Sequence, residues 1–191
     1  MRQYTKRDLY GGAIVCDLPS NFADVSDIRQ VPDNQEVWLD ANGYTSIIFD
    51  ILERVNMPTD YEALDFHVLD SVGQEDMART TVWMRGDAHF SKLPPNTTCL
   101  TFLATTPAGE NDRGRSNNAD FSGLLVTLVR LEQQSTDIVI SINVPHLPTE
   151  YVAEDVDVSS GKLGPLLQQA VELRERVTES FDIKEWGLFV E

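Results

Sequence analysis

The carboxylates Asp33 and Glu36 lie three positions apart in the polar heptad Val31–Val37. Pro32 fixes its own φ near the value required at the second position of a turn, and Asn34 tolerates the unusual backbone angles that follow. The heptad therefore predicts a rigid turn that leads into a strand and presents both carboxylates at the edge of a domain. Two like charges held close together in an acidic protein suit a positively charged partner.

Paired carboxylates also occur in acid/base catalysis and in cation sites. A catalytic pair needs an environment that separates the two pKa values, with a group that orients them, but residues 33–36 have no neighbouring His, Lys or nucleophile. A Ca²⁺ site needs six or more oxygen ligands, and the chain has no EF-hand spacing. A solvated turn closed by side-chain bonds to the backbone is the plainest alternative. The residues alone leave it open beside partner binding.

Other motifs point to no catalytic residue, metal or cofactor. The three histidines, His67, His89 and His146, lack zinc-ligand spacing. The segment Gly161–Gly164 lacks the length and the Lys-Ser/Thr ending of a phosphate-binding loop, and the chain contains no Gly-x-Gly-x-x-Gly pattern. We therefore expect any effect on a nucleotide to be exerted through a partner protein.

Composition narrows the class of partner. The 191 residues include 15 Lys and Arg against 31 Asp and Glu, which gives a net charge of −16. Such a surface repels nucleic acid and anionic membranes and attracts basic protein patches. No apolar run approaches the roughly 18 residues of a membrane span, and the polar start lacks the apolar core of a signal peptide, so an intracellular protein is expected. Cys16 and Cys99 are predicted to be buried thiols.

The elements that would position the acidic turn follow from hydrophobic periodicity. Residues 9–15 and 36–40 read as strands, and 24–28 as one helical turn capped by Asp24 or Ser26. Apolar residues on one face predict a helix over 46–55. Thr59 and Glu62 have the spacing of a capping box, which opens a second helix ending at Gly73.

The second half of the chain reads mainly as strands. Alternation predicts strands at 79–85 and 97–105, and residues 121–131 are apolar on both faces, as in a central strand. A short connection at 135–137 makes the strand 138–144 antiparallel to it. A last helix begins at Pro165. We expect one α+β domain over residues 1–191, with mobile loops near 106–120 and 146–161.

Several blocks of sequence occur in the order found in one known family. Leu9–Ile14, Asp24–Arg29 and Val31–Val37 closely resemble the Ran guanine nucleotide release factors, also called the Mog proteins. The resemblance continues through Ser46–Val55 and Leu128–Pro145. Blocks in the same order over most of the chain are hard to obtain by chance.

This resemblance implies a fold, a partner and a site. The fold would be a mostly antiparallel six-stranded sheet flanked by helices, a PsbP-like α/β/α sandwich. The function would be non-enzymatic: binding the small GTPase Ran and promoting release of its guanine nucleotide, in the nucleus and cytoplasm, in support of nuclear protein import. An acidic adaptor that binds a basic protein without affecting nucleotide exchange is the alternative. Asp33 and Glu36 match family carboxylates that contact Ran, and the predicted surface also includes Asp24, Asp27, Asn34 and Gln35.

Overall fold

Two antiparallel sheets and three α-helices account for most of the described residues, 2–109 and 118–189, of the computed structural model. The large sheet has seven strands in the order β3-β4-β5-β9-β8-β7-β6, and the small sheet has the order β1-β2-β10. The strands are β1 Tyr4–Leu9, β2 Ile14–Pro19, β3 Phe22–Asp24, β4 Gln35–Asp40, β5 Ser46–Glu53, β6 Thr81–Asp87, β7 Thr98–Pro107, β8 Phe121–Leu131, β9 Thr136–His146 and β10 Asp182–Ile183. The helices are α1 Asp60–Val72, α2 Gln74–Arg79 and α3 Gly164–Ser180.

The centre of the large sheet is the hairpin of β8 and β9, which pair antiparallel from Leu131↔Thr136 to Phe121↔His146. Leu125 and Val126 point to opposite faces of β8 and are both 1% exposed. The predicted internal strand and its tight antiparallel partner are therefore confirmed. The capping box is also confirmed, because the Glu62 N–H donates to the Thr59 hydroxyl at the start of α1 (3.2 Å).

The segment predicted as a helix at 46–55 is instead strand β5. Its apolar residues fit a helical stripe, but they also alternate: Ile47, Phe49 and Ile51 occupy one face, with Ile47 and Phe49 completely buried. β-Branched residues pack well on a pleated surface, and the strand is hydrogen-bonded to neighbours on both sides. With β5 included, the large sheet has seven strands rather than the expected six.

The predicted strand 9–15 is also divided. A 3₁₀ turn at Tyr10–Gly12 separates β1 from β2, and the two strands pair antiparallel along their whole length. β10 adds to the other edge of β2, and the Ala13 carbonyl accepts a hydrogen bond from the Lys184 N–H (2.8 Å). The first and last strands of the described chain therefore share one small sheet.

The two faces of the large sheet are covered differently. One face packs against α3 and the small sheet, through a core that includes Phe49, Ile140 and Leu173. The other face packs against α1, chiefly through Leu64 and Val68, but only over the half formed by β7, β8 and part of β9. Layers of helix on both faces agree with the expected α/β/α sandwich. Beyond the end of α1, the second face is left as a cleft over β5 and the adjoining parts of β4, β8 and β9.

Three remaining expectations concern burial and loops. Cys16 and Cys99 are buried free thiols, as predicted. The predicted loop 106–120 falls largely on residues 110–117, which lie outside the described residues, whereas 146–161 contains 3₁₀ turns at Ala153–Asp155 and Val158–Ser160. Within the described part of the chain, no helix combines the length and apolar character needed to cross a membrane.

Candidate functional site

The acidic turn forms as the sequence predicts, directly before β4. The Gln35 N–H donates to the Pro32 carbonyl (2.9 Å), which closes the turn, and Asp33 is exposed at its tip. Asn34 fastens the turn to β5, because its carbonyl accepts from the Ile51 N–H (2.9 Å) and its side-chain amide donates to the Ile51 carbonyl (3.3 Å). Asp33 is therefore presented by a rigid support.

Glu36 has different surroundings from the exposed Asp33. It belongs to β4, opposite Phe49, and is half-buried on the face that packs against the small sheet. Its Oε1 accepts a hydrogen bond from the backbone N–H of Tyr10 (2.6 Å). Burial raises the pKa of this carboxyl, and the charge of Asp24 acts in the same direction, while the Tyr10 bond opposes them. The alternation of β4 turns Glu36 to the face opposite that of Gln35.

The hydrogen bond that Glu36 accepts from the Tyr10 N–H stabilises an unusual backbone. Tyr10, Gly11 and Gly12 have φ values of 51°, 66° and 94°, in the left-handed region that only glycine adopts easily. The Tyr10 hydroxyl donates to the Phe49 carbonyl (2.8 Å), so this residue is held at both its backbone and its ring. Glu36 thus connects the small sheet to β4 and β5 beneath the acidic turn.

The upstream residues Asp24 and Asp27 have different surroundings. Asp24 caps the 3₁₀ turn Val25–Asp27, because its carboxylate accepts from the Ser26 N–H (2.8 Å), as the sequence predicts. Asp27 is exposed, and the next residue, Ile28, is 78% exposed. Of the predicted set, Asp27, Asp33 and Asn34 are exposed, while Asp24 and Glu36 are half-buried and accept hydrogen bonds from the backbone.

The cleft over β4 and β5 adjoins this turn. Its volume is about 750 Å³, and its lining includes Gln35, Tyr44, Asp50, Ser141 and Asn143. Asp50 lies directly opposite Gln35 and is half-buried. Burial raises the pKa of the Asp50 carboxyl, while a hydrogen bond from Gln35 and the proximity of His67 oppose the shift.

Sequence reasoning missed Asp50. The predicted helix placed it on a solvated polar face, together with Glu53 and Arg54. Read with a period of two, the same residues place Asp50 on the face opposite Ile47, Phe49 and Ile51. That period is the signal that would have found it.

The three histidines have separate surroundings in the structure. Across residues 2–109 and 118–189, no group of three or more His, Cys, Asp or Glu side chains is arranged to hold a metal ion. His67 is buried against Asp137 (2.8 Å) and His146 stacks on Phe121 (ring centroids 4.0 Å apart), while His89 is exposed. The described surface around Asp33 is suited to hydrogen bonding and charge pairing.

Comparison with known proteins places these features in a family. Residues 7–145 match the family model described as Ran-interacting Mog1 protein. The nuclear import protein MOG1 of Saccharomyces cerevisiae is 34% identical over 194 residues, covering 95% of this chain and 83% of the relative. The nuclear import protein mog1 of Schizosaccharomyces pombe is 27% identical over 186 residues, covering 95% and 98%.

Solved structures agree with the fold. The crystal structure of the Saccharomyces cerevisiae Ran-binding protein Mog1p superposes with a TM-score of 0.76 at 29% identity, covering 100% of both chains. The solution structure of cyanobacterial PsbP from Synechocystis has a TM-score of 0.56 at 9% identity, covering 96% of this chain and 94% of that one. The second likeness confirms a PsbP-like fold and carries no information on function.

Proposed function

Because the chain belongs to the Ran-interacting Mog1 protein family, we propose that it binds the small GTPase Ran and promotes release of its bound guanine nucleotide in nuclear protein import. Relatives are named for Ran binding and nuclear import, and the bovine Ran guanine nucleotide release factor is 31% identical over 139 residues, covering 72% of this chain and 74% of the relative. The protein acts as a regulator without catalytic chemistry of its own, in the nucleus and the cytoplasm.

Release without chemistry requires a difference in binding. The protein must bind nucleotide-free Ran more tightly than nucleotide-bound Ran, and by linkage the nucleotide must then weaken the protein's own binding by the same factor. The acidic surface supplies attraction for basic groups of Ran, and contact with those groups lowers their hold on the nucleotide. High concentrations of GTP or GDP should therefore displace the protein from Ran.

The exposed acidic turn carries the assignment of the site. Asp33 stands on a backbone fixed at Gln35 and Ile51, in a chain of net charge −16, and Asp27 is exposed on the neighbouring 3₁₀ turn. We assign Asp33 to direct contact with Ran and Asp27 to the same surface. Asp24, Asn34, Gln35 and Glu36 hold the backbone that presents it.

Dissociation of a fluorescent guanine nucleotide from purified Ran tests this function. The wild-type protein should accelerate release, and Asp33→Ala should weaken Ran binding at least tenfold, about 1.4 kcal/mol, with a parallel loss of release. Glu175→Ala is the matched control, since it removes one exposed carboxylate from α3, on the opposite side of the large sheet.

Two outcomes would contradict the proposal. Wild-type protein that binds Ran without changing the rate of nucleotide release would be an acidic adaptor instead. Equal Ran affinity for Asp33→Ala and the Glu175→Ala control would remove Asp33 from the site.

A further inference from the structure

The cleft beside the acidic turn contains a carboxylate on the same face as the turn's last residue. Gln35 closes the turn and lies opposite Asp50 across β4 and β5. Side chains of directly opposed residues point to the same side of a sheet, with Cα atoms about 4.5–5.5 Å apart. Asp50 is therefore adjacent to the surface that displays Asp33, whereas Glu36 faces the opposite side.

Among the described residues Asp50 forms no ion pair, and the His67 ring that lies near it is hydrogen-bonded to Asp137 (2.8 Å). The ion pairs among residues 2–109 and 118–189 do not include Asp50, and the hydrogen bond that it accepts from the Gln35 side chain brings no charge. The Arg79 guanidinium in the same cleft is already engaged by Asp76 and by the Pro107 carbonyl (2.7 Å). A half-buried carboxylate without a positive partner is costly to keep ionised.

The remaining lining suits a long basic side chain. Gln35, Ser141 and Asn143 offer uncharged hydrogen-bonding groups on the floor. Tyr44 stands at the rim, 55% exposed, where its ring offers an apolar surface to the methylene stem of a lysine or arginine. The Asp50 carboxylate therefore favours a cationic side chain over an apolar one.

We propose that this cleft receives a lysine or arginine side chain of Ran, whose cationic group pairs with Asp50. The proposal rests on the function proposed above and extends its surface from the tip of the turn into the cleft. The raised pKa of the Asp50 carboxyl supports it, because a group that is costly to ionise in the free protein gains most from a cation brought by a partner.

Calorimetric titration of Ran into three variants tests the proposal. Asp50→Asn keeps the shape of the side chain and should lower Ran affinity at least tenfold, with a shallower dependence of affinity on salt. Tyr44→Ala should lower it severalfold, because it removes the rim without touching the core. Glu175→Gln on α3 removes the same charge on the opposite side of the large sheet and should leave affinity within twofold of wild type.

The outcomes separate the cleft from the function. If Asp50→Asn and Tyr44→Ala both bind Ran as tightly as Glu175→Gln while Asp33→Ala does not, the cleft is empty in the complex and only the further inference is overturned. If the wild-type protein fails to bind Ran, both proposals fall. If Asp50→Asn does not fold, the affinity of Tyr44→Ala decides: a loss supports the cleft, and an unchanged value overturns it.

Discussion

Asp137 and Asp50 lie on the same face of adjacent strands, but they differ in burial and in hydrogen-bond partners. Asp137 pairs across with Leu52 and Asp50 with Val139, so the two carboxylates are only two residues out of register on β9 and β5. Asp137 is completely buried, and it accepts hydrogen bonds from Arg130 Nε (3.0 Å), from the Val55 N–H (3.1 Å) and from the His67 ring at 2.8 Å. Asp50, in the cleft, accepts a hydrogen bond from the side chain of Gln35.

The difference follows the edge of α1. Where the helix covers the sheet, a charge is cut off from water and must be paired, so α1 supplies His67 and the neighbouring strand supplies Arg130. Where the coverage by α1 ends, Asp50 is only half-buried, and the ion pairs among residues 2–109 and 118–189 do not include it. A charge that the fold neutralises serves stability, and a charge that it leaves unpaired is available to a partner.

The largest expected effect on stability is at Asp137, where α1 covers the sheet. Asp137→Ala should lower the free energy of unfolding by about 3–5 kcal/mol, because it leaves the buried Arg130 guanidinium without its buried acid. Urea unfolding measures this change. Asp65→Ala is the control, since it breaks the exposed pair with Arg85 and should cost at most about 1 kcal/mol. Equal effects would mean that burial does not distinguish the two pairs.

The pH dependence of the stability of wild type and of Asp137→Ala sharpens this prediction. Hydrogen bonds from His67 and Arg130 hold the pKa of the Asp137 carboxyl below its usual range, although burial acts in the opposite direction. A lowered pKa in the folded state means that the stabilisation is complete above the ordinary value of 3.8 and is lost as the pH falls through the folded-state value. The advantage of wild type over Asp137→Ala should therefore be constant near neutrality and shrink below about pH 4.

An intermediate effect is expected at Glu36. Its variants distinguish a residue that supports the backbone from one that contacts Ran directly. Glu36→Ala leaves the Tyr10 N–H without its acceptor and should cost about 1–3 kcal/mol of stability, with weaker Ran binding as a consequence. Glu36→Gln keeps an oxygen acceptor and should retain most of both. Asp33→Ala should change stability by no more than about 0.5 kcal/mol while still weakening Ran binding. Loss of Ran binding by a fully stable Glu36→Gln would show that its charge contacts the partner directly.

The smallest expected effect on stability is at Asp50 in the cleft, where the substitution is expected to stabilise the protein. Because the pKa of the Asp50 carboxyl is raised, its ionised form destabilises the free protein above the folded-state value, and that cost disappears toward pH 3.8. Asp50→Asn should therefore raise the melting temperature slightly at pH 7 and not at pH 4. Thermal unfolding of both proteins at the two pH values measures this. A lower melting temperature at pH 7 would mean that Asp50 is paired within the fold.

The sequence predicts the elements whose signals are unambiguous. β8 is long and apolar on both faces, α1 begins at a capping box, and the turn before β4 contains Pro32. It fails at 46–55, because a stretch dense in isoleucine satisfies the helical and the strand period together, and only pairing with β4 and β9 selects the strand. The role of Glu36 depends on Tyr10, which lies 26 residues away. Local patterns do not record such a contact.

The pairing of β10 with β2 has a consequence for the order in which the molecule becomes complete. Val15 and Ile14 pair with the nearby strand β1, but their neighbours on the other side, Asp182 and Ile183, belong to the last strand of the described chain. Contacts of such long sequence separation form late in folding, since a large loop must close first. The large sheet can form before this closure, but the small sheet beneath the acidic turn gains β10 only when the loop has closed. We therefore expect the support of the acidic turn to be complete only after the first and last strands of the described chain have met.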